Sequence, residues 1–271
     1  MKRLIVLFTF STFVSSLIYS QQQPPRQRPE ETEYYTPVPK VVTPGNTFSD
    51  APSDAIVLFD GKNMDQWINT KDSTPCKWIL DKGAMTVNKS SGDIQTRSAF
   101  NDFQLHIEYR IPENITGSGQ ARGNSGIFLA ALPWGAGGYE LQVLDNYKNT
   151  TYVNGQVGSM YKQAVPLANA CKKPGEWQTY DVIWTSPKFS DEGILKSMAR
   201  VTVFHNGVLV ENNLSLLGDT PYIGQPSYRK HGASPIKLQA HGDPSEPISY
   251  RNIWLRPFKN CFLEIIMLVL I

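Results

Sequence analysis

The chain has 271 residues, enough for one large β-sandwich or two small domains. Lys and Arg total 26 against 24 Asp and Glu, a net charge of +2, so a nucleic-acid partner, which needs a strong basic bias, is not expected. Three cysteines without CxxC spacing make neither a disulfide framework nor a structural zinc site, although Cys76 and Cys171 could pair in an oxidising compartment.

In chain order, Lys2 and Arg3 precede an apolar run from Leu4, and Ser15 to Ser20 are mostly small or polar. That layout predicts an export signal over residues 1–20, cleaved near Ser20, and a periplasmic, cell-surface or secreted protein. The run is short and interrupted, so no stable membrane span is expected. Residues 21–50 are rich in Pro, Gln, Glu and Thr and read as a flexible linker.

Residues 51–258 carry a continuous β pattern. Strands are predicted at 56–59, 77–80, 84–87, 103–111, 126–132, 139–144, 177–184, 200–204, 208–210, 236–240 and 248–255, separated by Gly, Asn, Asp and Pro turns. Phe103, Leu105, Ile107, Tyr109 and Ile111 alternate with Gln104, His106, Glu108 and Arg110, the pattern of a half-buried strand. Asn206-Gly207 between two Val-rich runs predicts a type I′ hairpin. Only short helical turns are expected, near residues 162–170. Many short strands with dense turns predict an all-β jelly-roll sandwich of two antiparallel sheets. The tail, 259–271, is nearly all apolar, too short to span a bilayer, and is given no role.

Two strands carry chemistry. In Tyr139-Glu140-Leu141-Gln142-Val143-Leu144-Asp145, period two puts Glu140 and Gln142 on one face, and a β-bulge would bring Asp145 to them. In Ile236-Lys237-Leu238-Gln239-Ala240-His241, Gln239 and His241 share the polar face. A carboxylate, carboxamides and an imidazole suit a sugar-holding groove that moves protons. The alternative for Asp145 is simply to start a turn with Asn146. Laminarinase-type glucanases place acids at all three positions of Glu140-x-Gln142-x-x-Asp145, the outer pair about 5 Å apart for a retaining mechanism, and here Gln142 replaces the central one. Asn124, in Gly123-Asn124-Ser125-Gly126, is a hydroxyl-binding candidate, Trp134 and Tyr161 are stacking candidates, and Glu108 is a further candidate for binding substrate. Arg251 offers donors for an enolate or, equally, an ion pair with a neighbouring acid. His106 reads as solvated, and His205 and His231 as incidental. No residue is assigned to a metal, although a divalent cation is compatible with the chemistry, and the oligomeric state is left open.

Read together, the segments Leu58-Phe59-Asp60-Gly61 with Trp67, Phe103-Gln104-Leu105 and Gly123-Asn124-Ser125-Gly126-Ile127 resemble the 3-keto-disaccharide hydrolase family. The resemblance continues through Gly138-Tyr139-Glu140-Leu141-Gln142-Val143-Leu144-Asp145, Gly158-Ser159-Met160-Tyr161, Gly175-Glu176-Trp177 and Asn206-Gly207, and ends at Ile236-Lys237-Leu238-Gln239-Ala240-His241-Gly242 and Tyr250-Arg251-Asn252-Ile253. It implies a concanavalin A-like fold and cleavage of glycosides oxidised at C3, by elimination and hydration. Under it Glu140 or His241 is the base, Asp145 or the other of that pair is the acid, and Gln142, Gln239, Asn124 and Arg251 bind hydroxyls or the enolate. The rival readings are an ordinary glycosidase and a non-catalytic sugar-binding module.

Overall fold

The computed structural model describes residues 27–134 and 137–258, so the predicted export signal, residues 21–26 of the linker and the apolar tail lie outside the described residues. Residues up to Lys40 form one unit, whose described part carries a 3-10 turn at Pro29–Thr32, and a second unit begins at Val41.

Among its described residues the second unit has fifteen strands: β1 (Ile56–Phe59), β2 (Trp67–Asn69), β3 (Ile79–Asp81), β4 (Ala84–Thr86), β5 (Ile94–Thr96), β6 (Phe103–Arg110), β7 (Ser125–Ala131), β8 (Gly138–Val143), β9 (Trp177–Thr185), β10 (Lys188–Phe189), β11 (Leu195–Ser197), β12 (Arg200–His205), β13 (Val208–Ser215), β14 (Lys237–Leu238) and β15 (Ser249–Pro257). The larger sheet has eight strands in the order β13-β12-β9-β6-β15-β4-β3, with β1 also on β15; the smaller has five, β2-β5-β14-β7-β8, and β10 and β11 form a separate hairpin. All pairings within these sheets are antiparallel. This is the expected concanavalin A-like jelly roll.

Alternation explains how the sheets close on one core. In β9, Gln178, Tyr180, Val182 and Trp184 are buried while their neighbours are not. Trp184 meets Tyr139 of β8 across the sandwich, with ring centroids 5.1 Å apart, and Tyr180 donates its hydroxyl to the Gln142 carbonyl at 2.8 Å. Such buried aromatics bring large apolar area, and their polar tips find partners across the core. The predicted hairpin forms with Asn206 at φ 52° and Gly207 at φ 79°, the left-handed pair that a type I′ turn requires. β2 and β5 were not expected from sequence, and the 162–170 segment carries no helix.

Two assignments shift. Residues from Val41 onward, expected to belong to the linker, instead strap the outer face of the larger sheet: the Ser49 carbonyl accepts from Asn252 Nδ2 and Trp254 Nε1, both at 2.9 Å. His106, expected in solvent, is buried beneath that strap and stacked on Trp254 at 5.4 Å. Cys76 and Cys171 are both free thiols. Among the described residues, no helix is long and apolar enough to cross a membrane.

Candidate functional site

The outward face of the smaller sheet holds a cavity of about 240 Å³ lined by Gln120, Asn124, Glu140, Gln142, Tyr161, Tyr222, Gln239 and His241. β8 supplies Glu140 and Gln142, because Tyr139, Leu141 and Val143 turn into the core. The strand opposite supplies the room. Gly126 pairs with Gln142, and a Cβ there would stand 2.5 Å from Glu140 Oε1, so the glycine is what lets the carboxyl lie across β7. Glu140 is 5 % exposed, and its carboxyl accepts no hydrogen bond among the described residues. Burial pushes its pKa up to about 7, against the pull of nearby Lys237 and reinforced by Asp93.

His241 enters from the end of the chain segment that follows β14. Its Nδ1 lies 2.8 Å from Asp243 Oδ2. Burial alone would raise the Asp243 carboxyl, but bonds from His241 and Ser245 and the Lys89 charge outweigh it and hold the pKa at about 2. A carboxylate can only accept, so at the shorter distance it draws the proton to Nδ1 against the Asp243 amide, which points at the same nitrogen from 3.2 Å, and Nε2 is left as the reactive nitrogen. The support is rigid. Lys89 Nζ donates to the carbonyls of Asp243 at 2.6 Å and Ser245 at 2.7 Å, and the Gly123 amide donates to Ser245 Oγ at 3.0 Å.

Carboxamides complete the walls. Gln142 Nε2 donates to Asn124 Oδ1 at 2.8 Å, and Asn124 Nδ2 donates to the Gln120 carbonyl at 2.8 Å. Gln239 Oε1 is buried without a partner among the described residues, an acceptor left for a ligand. Tyr161 shares a 2.5 Å hydroxyl contact with Tyr152, and the Lys162 ammonium sits 4.6 Å over the ring of Tyr222.

The structure thus unites Glu140, His241, Gln142, Gln239, Asn124 and Tyr161, and sets four predicted residues apart. β8 ends at Val143 with regular pairing from Glu140 onward, so the bulge expected to carry Asp145 to this face is not formed. Asp145 is instead 1 % exposed, with its Oδ2 2.6 Å from Arg122 Nε and its Oδ1 accepting from the Tyr147 amide, the turn-starting role. Glu108 and Arg251 lie on the outer face of the larger sheet, where Arg251 Nε meets Glu108 Oε2 at 2.6 Å and its guanidinium covers Trp177 at 4.1 Å. That is the ion-pair alternative for Arg251. Trp134, in the β7–β8 connection, packs against the core beneath Arg229, 5.8 Å from its ring, and does not line the cavity.

Sequence reasoning passed over Asp243, Lys237, Gln120 and Tyr222. Lys237 shares the parity of Gln239 and His241, and Asp243 stands two residues past the histidine, so both were readable. Gln120 comes from a 3-10 turn, Gly119–Ala121, and Tyr222 from a loop, and neither carries such a signal. Among the described residues, no group of three or more His, Cys, Asp and Glu side chains is arranged to hold a metal ion. A larger cavity, about 530 Å³, lies beneath the strap, but its Arg256 is already held by Asp54 at 2.9 Å, its lining holds no histidine and its one carboxylate, Asp50, is exposed, so chemistry outweighs size in choosing the site.

Residues 54–256 match the family described as 3-keto-alpha-glucoside-1,2-lyase-like domains. A solved structure from Parabacteroides distasonis, described as a candidate glycosyl hydrolase, is 55 % identical, with TM-score 0.79, covering 85 % of this chain and 97 % of its own. A second such protein from the same organism, 17 % identical with TM-score 0.53 over 76 % of this chain and 94 % of its own, shows the shared fold alone. No curated protein sequence matches this chain significantly. The family and the 55 % identical structure together support an enzyme acting on glycosides.

Proposed function

Because this chain belongs to the family of 3-keto-alpha-glucoside-1,2-lyase-like domains, we propose that it cleaves glycosides whose sugar ring carries a ketone at C3, in the cavity that joins Glu140 and His241. The observation that carries this reading is the presence of two proton carriers of different kind in one cavity, an unpaired buried carboxyl and a carboxylate-braced imidazole.

A C3 ketone acidifies the proton on C2, and the glycosidic oxygen on C1 is β to that ketone. His241 Nε2 takes the C2 proton, and the electron pair is held as the enolate of the C3 carbonyl. The pair then forms the C1=C2 double bond as the C1–O bond breaks, and the protonated Glu140 carboxyl gives its proton to the departing oxygen. Water adds across the double bond, hydroxyl to C1 and proton to C2, and the net change is hydrolysis. Each proton transfer of this kind contributes about 10²- to 10⁴-fold. Gln142, Gln239 and Asn124 bind hydroxyls and Tyr161 walls the ring. The route needs no nucleophile at a fixed spacing from an acid, so the separation of Asp145 from the cavity does not obstruct it. Export to the periplasm, cell surface or medium is part of the same reading, supported by the character of residues 1–20.

The test follows a 3-keto disaccharide in deuterated water. Wild type releases the leaving sugar and exchanges the C2 proton. His241→Ala loses both, whereas Glu140→Gln keeps exchange and loses cleavage by about 10³-fold. Because the acid form of Glu140 is lost as pH rises through about 7, kcat/KM falls on the alkaline side of that value. Full activity in both variants would sink the assignment.

A further inference from the structure

A second cavity, about 370 Å³, lies on the same sheet face and is lined by residues that include Thr70, Gln95, Ala131, Leu132, Pro235 and Lys237. Strand register ties it to the first. Lys237 and Glu140 are both cross-strand partners of Phe128, so they stand in one row two strands apart, about 10 Å by ordinary sheet spacing. Gln95 pairs with Lys237 and extends the row.

Lys237 is a buried cation with donors to spare. It is 9 % exposed, its Nζ lies 3.6 Å from Asp93 Oδ2 and 3.6 Å from the Phe128 ring centroid, and that one carboxylate, also in the cavity lining, is its single polar partner among the described residues. A buried ammonium left in that state gains from any ligand that supplies oxygen acceptors. The Gln95 side chain has no hydrogen-bond partner among the described residues, and Leu132 and Pro235 add an apolar patch. Free donors and acceptors beside an apolar patch match a pyranose, with hydroxyls on its rim and C–H groups on its face.

Resting on the reading given under Proposed function, we propose that this second cavity binds the leaving-group sugar of a 3-keto disaccharide, with Lys237 and Gln95 holding its hydroxyls and the glycosidic bond spanning the row between Lys237 and Glu140. Glu140 and His241 line the first cavity, so the reacting ring lies there and the departing ring lies here. Lys237 and Gln95 thereby set specificity for a polyhydroxylated leaving group over a simple alkyl one.

The experiment uses Gln95→Ala, which removes a hydroxyl partner, and Ala131→Phe, which fills the cavity. Both are assayed on a 3-keto disaccharide and on the methyl glycoside of the same 3-keto sugar. The disaccharide kcat/KM falls at least about tenfold in each variant, and the methyl glycoside stays within about twofold of wild type. Equal losses on the two substrates, or an unchanged disaccharide, overturn the proposal. Calorimetric titration with an unoxidised sulfur-linked disaccharide and with its methyl thioglycoside monosaccharide adds a reading independent of turnover. If wild type turns over neither 3-keto substrate, the reaction assigned above falls and this titration decides the cavity. Disaccharide binding at least about tenfold tighter than the monosaccharide, with the advantage lost in Gln95→Ala, upholds the subsite. Equal affinities, or binding of neither, overturn it.

Discussion

Two polar rows run over opposite faces of the sandwich with nearly the same residue types. On the larger sheet His106, Glu108, Asp181, Arg251 and Asn252 satisfy one another: His106 Nδ1 lies 2.7 Å from Asp181, and Glu108 accepts from Arg251 at 2.6 Å and Asn252 at 2.9 Å. Burial opposes the charging of His106, yet its acidic partners raise its pKa to about 9; burial likewise works against Glu108, yet bonds from His106, Asn252 and Arg251 bring it to about 2. Both stay charged across the neutral range. On the smaller sheet Glu140 accepts no hydrogen bond among the described residues, sits near 7, and faces a cavity. Residue type does not make a site. Unspent hydrogen-bonding capacity and a proton affinity matched to the working pH do.

The largest effect that separates the rows is Glu140→Gln, which lowers cleavage about 10³-fold and leaves the melting temperature unchanged or raised above pH 7, because a buried carboxylate has been removed. Calorimetry beside the rate assay checks both halves. Asp243→Asn follows, with a loss on the order of 100-fold in kcat as His241 loses the carboxylate that fixes its proton on Nδ1. A moved pH–rate profile, with the binding of substrate little altered, identifies orientation as the cause. On the other sheet Glu108→Gln keeps turnover within about twofold and costs about 2 kcal/mol of stability, since Arg251 and His106 lose their shared acceptor. A collapse of activity with an unchanged melting temperature would return Glu108 to the site.

The smallest effect is at Glu211, 4 % exposed on β13, whose burial raises its pKa from 4.5 to about 7. Between those values the folded state holds a proton that the unfolded chain has released, so stability falls as pH rises through the window. Glu211→Gln removes that loss, so the variant gains stability over wild type at pH 8 and not at pH 4.5, read from denaturant melts at the two values. A pH-independent change would show that the carboxyl is not what titrates.

Much of this was readable in the chain. Alternation in β6, β8 and the 236–241 segment correctly divided core from polar faces, because a strand fixes parity residue by residue. It could not tell which polar face meets solvent, which meets a strap and which meets a cavity, so Glu108 and Arg251 looked as promising as Gln142. Pairing decides that. Asn252, at φ 44° in a bulge of β15, sends consecutive residues Arg251 and Asn252 to the same carboxylate, against simple alternation. Asp145 failed for the converse reason: the bulge supposed for it is not formed, and Arg122, from a loop distant in sequence, claims it. Three-residue strands such as β2 and β5 are too short to show a period.

The knot behind His241 has one more implication. Lys89, Gly123 and Ser245 come from three separate stretches of chain and lock one another through main-chain contacts. A histidine anchored from the rear in this way cannot be the door through which sugars come and go. Tyr222, by contrast, lines the same cavity while 67 % exposed, so a change there alters the entry and escape of sugar before it alters the base.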